Sequence, residues 1–112
     1  MTRYLISFDD GSMNFPEEEL PAVADASLDV VRRAQDAGVW VFGGGLPSQR
    51  ASVVATDGTV TKGPYPETKT VLGGFAVIEV SSHEEALKWA AEIAAACRCA
   101  QEVREFMHDP TS

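Results

Sequence analysis

The residues best equipped for chemistry in this 112-residue sequence cluster in one short stretch. Lys62, Tyr65, Glu67 and Lys69 bring two ammonium groups, a phenol and a carboxylate close together, with Pro64 and Pro66 stiffening the chain between them. Two lysines around a phenol suit an anionic ligand, with Tyr65 donating a hydrogen bond. Glu67, Tyr65 and Lys62 are the groups on offer as a general base. The plainer reading makes Gly63-Pro64 and Gly73-Gly74 backbone requirements of sharp bends, and Glu67 with Lys69 a solvated pair worth under ~1 kcal/mol. Arg104 is the second candidate. On a strand its guanidinium suits carboxylate recognition, or it pairs with Glu79 or Glu102.

Other chemistry-bearing residues point to structure. Cys97 and Cys99 are too close in sequence for an easy mutual disulfide. His83 and His108 lack metal-ligand spacing to them, so two small apolar fillers near a helix end are expected, with no metal and no cofactor. Gly43-Gly44-Gly45 lacks the Lys-Ser/Thr ending of a phosphate loop and reads as close packing or a bend. Tyr4, Phe8 and Trp40 offer an aromatic pocket wall, with hydrophobic core as their first assignment.

The elements that must position these residues follow from periodicity. Arg3 to Phe8 alternates as a strand, with Tyr4, Ile6 and Phe8 on one face and Arg3, Leu5 and Ser7 on the other. Leu20, Val23, Ala24, Ser27, Leu28, Val31 and Ala34 fall at helical spacing, starting near Leu20 because Pro21 is tolerated only in a first turn. Glu17 to Glu19 suit the positive end of that helix, and Gly38 its stop. Val39 to Phe42 is a short apolar strand. Ala51–Thr56 and Thr59–Lys62 flank Asp57-Gly58, which predicts a hairpin with a two-residue turn. Gly74 to Val80 predicts a central strand. Ser82 with Glu85 forms a capping box opening a helix that buries Ala86, Trp89, Ala90, Ile93 and Cys97. Gln101 to Met107 predicts the last strand, and His108 to Ser112 a frayed tail.

The order is β-α-β, an inserted hairpin, then β-α-β. It predicts an α+β fold of the ferredoxin-like βαββαβ plan, a four-stranded antiparallel sheet with both helices on one face. The length fits one domain, residues 1–112. An open apolar sheet face on so small a chain predicts a homodimer.

Composition narrows the partners. The formal net charge is −8, and the nine basic residues are scattered, which disfavours direct contact with nucleic acid or an anionic membrane. Hydrophobic residues at 45% and charged residues at 23% are ordinary for a globular chain. No apolar run reaches the length of a membrane span, and Met1-Thr2-Arg3-Tyr4 leads straight into the first strand, so no signal peptide is expected and the cytoplasm is the expected compartment.

One ordered series of residues resembles a known family. Asp57-Gly58, then Lys62-Gly63-Pro64-Tyr65-Pro66-Glu67-Thr68-Lys69, then Leu72-Gly73-Gly74-Phe75 and Ile78-Glu79-Val80 are similar to the signature of the DGPF-type branch of the YCII-related family. Gly44-Gly45-Leu46-Pro47, Glu84-Glu85-Ala86-Leu87 with Trp89-Ala90, and Glu102-Val103-Arg104 agree, so the likeness runs from Tyr4 to Phe106. It implies a dimeric α/β barrel and a small bacterial cytoplasmic protein. It also implies a pocket in which some relatives use a His–Asp pair for acid/base work on small molecules. Lys62 stands where the branch carries Asp, and Tyr65 where it carries Phe. No His lies in the first helix or second strand, where a dyad member is expected.

Three functional readings result. The first is a homodimeric small-molecule-binding protein with its pocket near Lys62, Tyr65, Glu67, Lys69 and Arg104. The second is an acid/base enzyme performing elimination or isomerisation on a small aromatic or anionic substrate. The third is a dimerisation module serving another protein.

Overall fold

The computed structural model describes residues 1–47, 51–63 and 71–108. Strands β1 (Thr2–Asp9), β2 (Trp40–Gly45), β5 (Leu72–Val80) and β6 (Glu102–Glu105) form one antiparallel sheet in the order β2-β5-β1-β6. Helices α1 (Leu20–Asp36) and α2 (His83–Cys97) pack on it, and β3 (Ser52–Val54) and β4 (Val60–Lys62) make a separate two-stranded hairpin. This is the expected α+β plan.

Register assigns each side chain to a face. Tyr4, Ile6 and Phe8 stand opposite Ile78, Ala76 and Gly74, all toward the helices. Arg3, Leu5 and Ser7 stand opposite Glu79, Val77 and Phe75, away from them. The helix-facing side holds the core: Tyr4, Ile6, Ile78 and Val80 pack with Val39, Ala34, Ala86 and Ala90, joined by the half-buried Trp89 and Val103. On the other side Phe42 is 54% exposed and meets Phe75 edge-on at 5.6 Å. Beside this apolar pair lie two ion pairs, Arg3–Glu79 at 3.2 Å and Arg104–Glu102 at 2.5 Å.

The helix ends follow local chemistry. Gly38 takes φ +75° just past α1, and its N–H bonds Gln35 O at 3.0 Å while Val39 N–H bonds Ala34 O at 3.0 Å, a Schellman closure. Ser82 Oγ accepts from the Glu85 amide at 3.1 Å, but the Glu85 carboxylate reaches one residue further back than a capping box requires, to Ser81 N at 3.1 Å and its hydroxyl at 3.0 Å. Helix α2 ends on Arg98 at φ 58°, whose guanidinium pairs with Glu19 and lies 5.9 Å from the Phe15 ring. Glu17–Glu19 form a 3-10 turn before α1 rather than capping it with a side chain.

Four expectations shift. The hairpin turn has three residues, not two: Gly58 N–H bonds Ala55 O at 2.9 Å, Ala55 N–H bonds Thr59 O at 2.8 Å, and Gly58 alone in the loop has positive φ. Asp57 stays at negative φ because its carboxylate accepts the Thr59 amide at 2.9 Å, which favours a type I turn closed by a glycine bulge. The buried row of α1 is Val23, Val30 and Ala34, with Leu20 and Leu28 about half exposed, since the helix presents only one row to the sheet and α2. Strand β2 runs on through all three glycines, with a bulge between Trp40 and Phe42. The last strand is shorter, because Gln101 turns its amide onto Cys99 instead of entering the ladder.

Candidate functional site

The helix-facing side of the sheet is packed at one end and hollow at the other. Around Tyr4, Ile78 and Val80 side chains fill it. Toward the far end of β2 and β5 the register sets Gly43 against Ala76 and Gly45 against Gly74, so four neighbouring positions carry at most a methyl group. Helices α1 and α2 bridge this bare patch, and a cavity of about 250 Å³ remains beneath them. Gly45 and Ala76 lie in its floor, Ser27, Val30 and Val31 line it from α1, and Ile93, Ala96 and Cys97 from α2. Phe8 and Trp40 supply aromatic wall, and Met13 arrives from the loop after β1.

Two glycines shape those walls. A Cβ on Gly43 would lie 2.6 Å from the Phe75 carbonyl oxygen, 2.8 Å from Ala76 Cα and 2.9 Å from the Trp40 ring. A Cβ on Gly74 would lie 2.7 Å from the Phe8 ring. Bare backbone therefore lets both rings lie close against the sheet. At Gly45, an exposed residue on the cavity lining, an added Cβ would meet nothing within 4 Å.

The polar groups on the lining are few. Ser27 Oγ stands 3.6 Å from Cys97 Sγ, a weak contact in which either atom donates. The Gln101 amide nitrogen donates to the Cys99 carbonyl at 3.4 Å and lies 3.5 Å from Cys99 Sγ, while its Oε1 accepts nothing among the described residues. Burial pushes the Cys97 thiol up; the hydrogen bond with Ser27 pulls the other way without reversing it. Among the described residues no Asp, Glu, Lys, Arg or His side chain lines the cavity. Both cysteines are free thiols, and among the described residues no group of three His, Cys, Asp or Glu is placed to hold a metal.

Residues 2–108 match the YCII-related domain. The chain belongs to the YCII-related family. A search of curated proteins found no match. Among solved structures, this YCII-related chain is similar to 5-chloro-2-hydroxyhydroquinone dehydrochlorinase (TftG) from Burkholderia phenoliruptrix AC1100 in complex with 2,5-dihydroxybenzoquinone. The TM-score is 0.54 at 17% identity, covering 99% of this chain and 98% of that one. At that identity the likeness establishes the shared fold.

Of the residues singled out in the sequence, the YCII-related chain carries Lys62 exposed at the end of the hairpin, outside the cavity lining. Tyr65, Glu67 and Lys69 lie outside the described residues. Arg104 is exposed on the sheet face away from the helices and pairs with Glu102, one of the two partners expected for it. Tyr4 is core, 2% exposed, and its hydroxyl donates to Glu105 at 3.2 Å; burial first, then that carboxylate, hold its phenol above the usual range. Phe8 and Trp40 line the cavity. Ser27, Cys97 and Gln101 were not legible as a group. The one available signal was a serine inside an otherwise apolar helical stripe.

No helix among the described residues is long and apolar enough to cross a membrane.

Proposed function

We propose that this chain is a small-molecule-binding protein of the DGPF-type branch of its family, acting as a homodimer in the bacterial cytoplasm, with the cavity between sheet and helices as its ligand site. The cavity carries the reading. Its volume, about 250 Å³, falls just under the ~300–1,000 Å³ of drug-sized sites and suits a ligand of about one ring. A mostly apolar lining with a few convergent polar groups is the usual make-up of such sites.

The dimer reading is supported by the uncovered sheet face. Phe42, 54% exposed, and the half-buried Phe75 and Leu5 form an apolar patch edged by the Arg3–Glu79 and Arg104–Glu102 pairs, a composition that fits a self-complementary contact. The Cα radius of gyration, 15.7 Å, exceeds the ~13 Å expected near this length, as befits a two-layer slab waiting for a third layer. Phe42→Asp should turn a dimer into a monomer in sedimentation. A wild-type protomer that sediments alone at high micromolar concentration would end this part of the reading.

Ligand binding is tested by a small-fragment screen on wild type and on Gly45→Leu, whose side chain would occupy the cavity. Fragments that stabilise wild type should leave Gly45→Leu unmoved. A hit set shared by both proteins, and lost instead in Lys62→Ala, would move the site to the segment carrying Lys62, Tyr65, Glu67 and Lys69.

A second reading, an acid/base enzyme performing elimination or isomerisation, is favoured by the similarity to a dehydrochlorinase bound to 2,5-dihydroxybenzoquinone. On that reading the base comes from Glu67, Tyr65 or Lys62, because Cys97 is held protonated by burial. Turnover of a cavity-binding fragment that is lost in Glu67→Gln or Tyr65→Phe would establish it.

A further inference from the structure

We infer that the cavity selects an uncharged ring compound bearing one hydroxyl, seated with that hydroxyl on Ser27 and its ring against Phe8 and Trp40, and that it rejects carboxylates. The inference rests on the ligand-binding reading of the same cavity and adds the chemical class. Three observations carry it.

The first is charge. Among the described residues no basic side chain lines the cavity to neutralise an anion, and the chain as a whole has a formal net charge of −8. Taking a carboxylate out of water into such walls, unpaired, is heavily unfavourable. The second is the helix dipole. Ala96 and Cys97 are in the last turn of α2, where the unpaired carbonyls give the helix end a partial negative charge. That field repels an anion and suits a group that brings a proton. The third is an under-used hydroxyl. Among the described residues Ser27 Oγ faces only a thiol at 3.6 Å, and sulfur is a poor hydrogen-bond partner, so a ligand hydroxyl would bond it better. Gln101, with its Oε1 unengaged among the described residues, offers a second acceptor on the same lining.

The aromatic part follows from the walls. Glycines at 43 and 74 let Trp40 and Phe8 lie close against the sheet, and two aromatic side chains on the lining favour an aromatic guest in stacked or edge-on contact.

Three probes of nearly equal shape separate these elements: toluene, p-cresol and p-toluate, titrated at neutral pH into isotopically labelled full-length protein and followed by amide chemical shifts. p-Cresol should bind about fivefold tighter than toluene, the worth of one ordinary hydrogen bond. p-Toluate should bind at least about tenfold more weakly than p-cresol. Ser27→Ala should bring p-cresol down to the affinity of toluene while leaving toluene unchanged. Gly45→Leu, with Gly45→Val as the milder replacement should leucine disturb the fold, should weaken all three. Equal binding of p-toluate and p-cresol, with both lost on filling the cavity, overturns the assigned class but keeps the cavity as a site. An unchanged p-cresol preference in Ser27→Ala overturns the seating on Ser27. Binding of none of the probes, or binding indifferent to substitution at Gly45, overturns the cavity reading and this inference with it.

Discussion

Replacing Gly43 by alanine tests the packing that shapes the site. The new Cβ would stand 2.6 Å from the Phe75 carbonyl oxygen and 2.8 Å from Ala76 Cα, against ordinary contacts of at least ~3.4 Å, so one of the strands must give by more than half an ångström. Both obstacles are backbone of the neighbouring strand β5, which cannot rotate aside as a ring can, and relief requires stretching the β2–β5 ladder at Gly43–Ala76. Overpacking of this kind costs about 1–3 kcal/mol, offset by roughly 0.5–1 kcal/mol from the stiffer unfolded chain. A net loss of about 1–2 kcal/mol is expected, which at this size lowers Tm by roughly 4–8 °C. Gly45→Ala is the internal control two residues along the same strand. Its Cβ meets nothing within 4 Å, so it should be neutral or stabilising by up to about 1 kcal/mol. Urea unfolding at fixed protein concentration measures both, with equal m-values showing that stability alone has changed. A Gly43→Ala variant as stable as Gly45→Ala would refute the close approach of β2 to β5 on which the cavity floor depends.

Three further outcomes are expected. Arg98 at φ 58° should tolerate glycine better than alanine: both substitutions lose the Glu19 pair and the Phe15 contact, so Arg98→Ala should be less stable than Arg98→Gly by about 1 kcal/mol in urea, and equal stabilities would contradict the left-handed cap. In a Cys99→Ser background, Cys97 should react with iodoacetamide at pH 8 more slowly than a free cysteine peptide, because burial raises its pKa and leaves less thiolate; a faster reaction would contradict its placement. The Thr59 amide holds the Asp57 carboxyl below its ordinary value. The hairpin therefore gains from that carboxylate above the unfolded value of about 3.9 and loses the gain as pH falls through the lower folded one. Protection of the hairpin amides should accordingly differ between wild type and Asp57→Ala at pH 6, with the gap closing toward pH 2, and a gap that widens in acid would be inconsistent with this sign.

The fold was legible because its signals are local and repeated. Alternation in Arg3–Phe8, helical spacing around Val23 and Ala86, the Ser82 cap and Gly38 each depend on residues a few positions apart. The hairpin was legible in place but not in turn type, since the choice between two and three loop residues rests on whether Asp57 spends its carboxylate on Thr59. The cavity was legible only in part, through Phe8 and Trp40 as an aromatic pocket wall. It arises where Gly43 and Gly45 on β2 come opposite Ala76 and Gly74 on β5, and that juxtaposition depends on a register shift at the Trp40/Phe42 bulge that no local pattern announces. Ser27 read as one member of an apolar stripe and Cys97 as a filler. Only the packing of α1 against α2 brings their side chains to 3.6 Å. Conversely, Lys62 and Arg104 drew notice through charge, and both stand exposed away from the cavity lining.

The central claim is that the hollow end of the sheet–helix interface holds the ligand, and an amide chemical-shift map of p-cresol binding tests it most directly. The account predicts perturbations concentrated at Ser27, Gly45, Ala76 and Cys97, around the cavity. Perturbations concentrated instead on Val60 to Gly63, with those four amides unmoved, would contradict it.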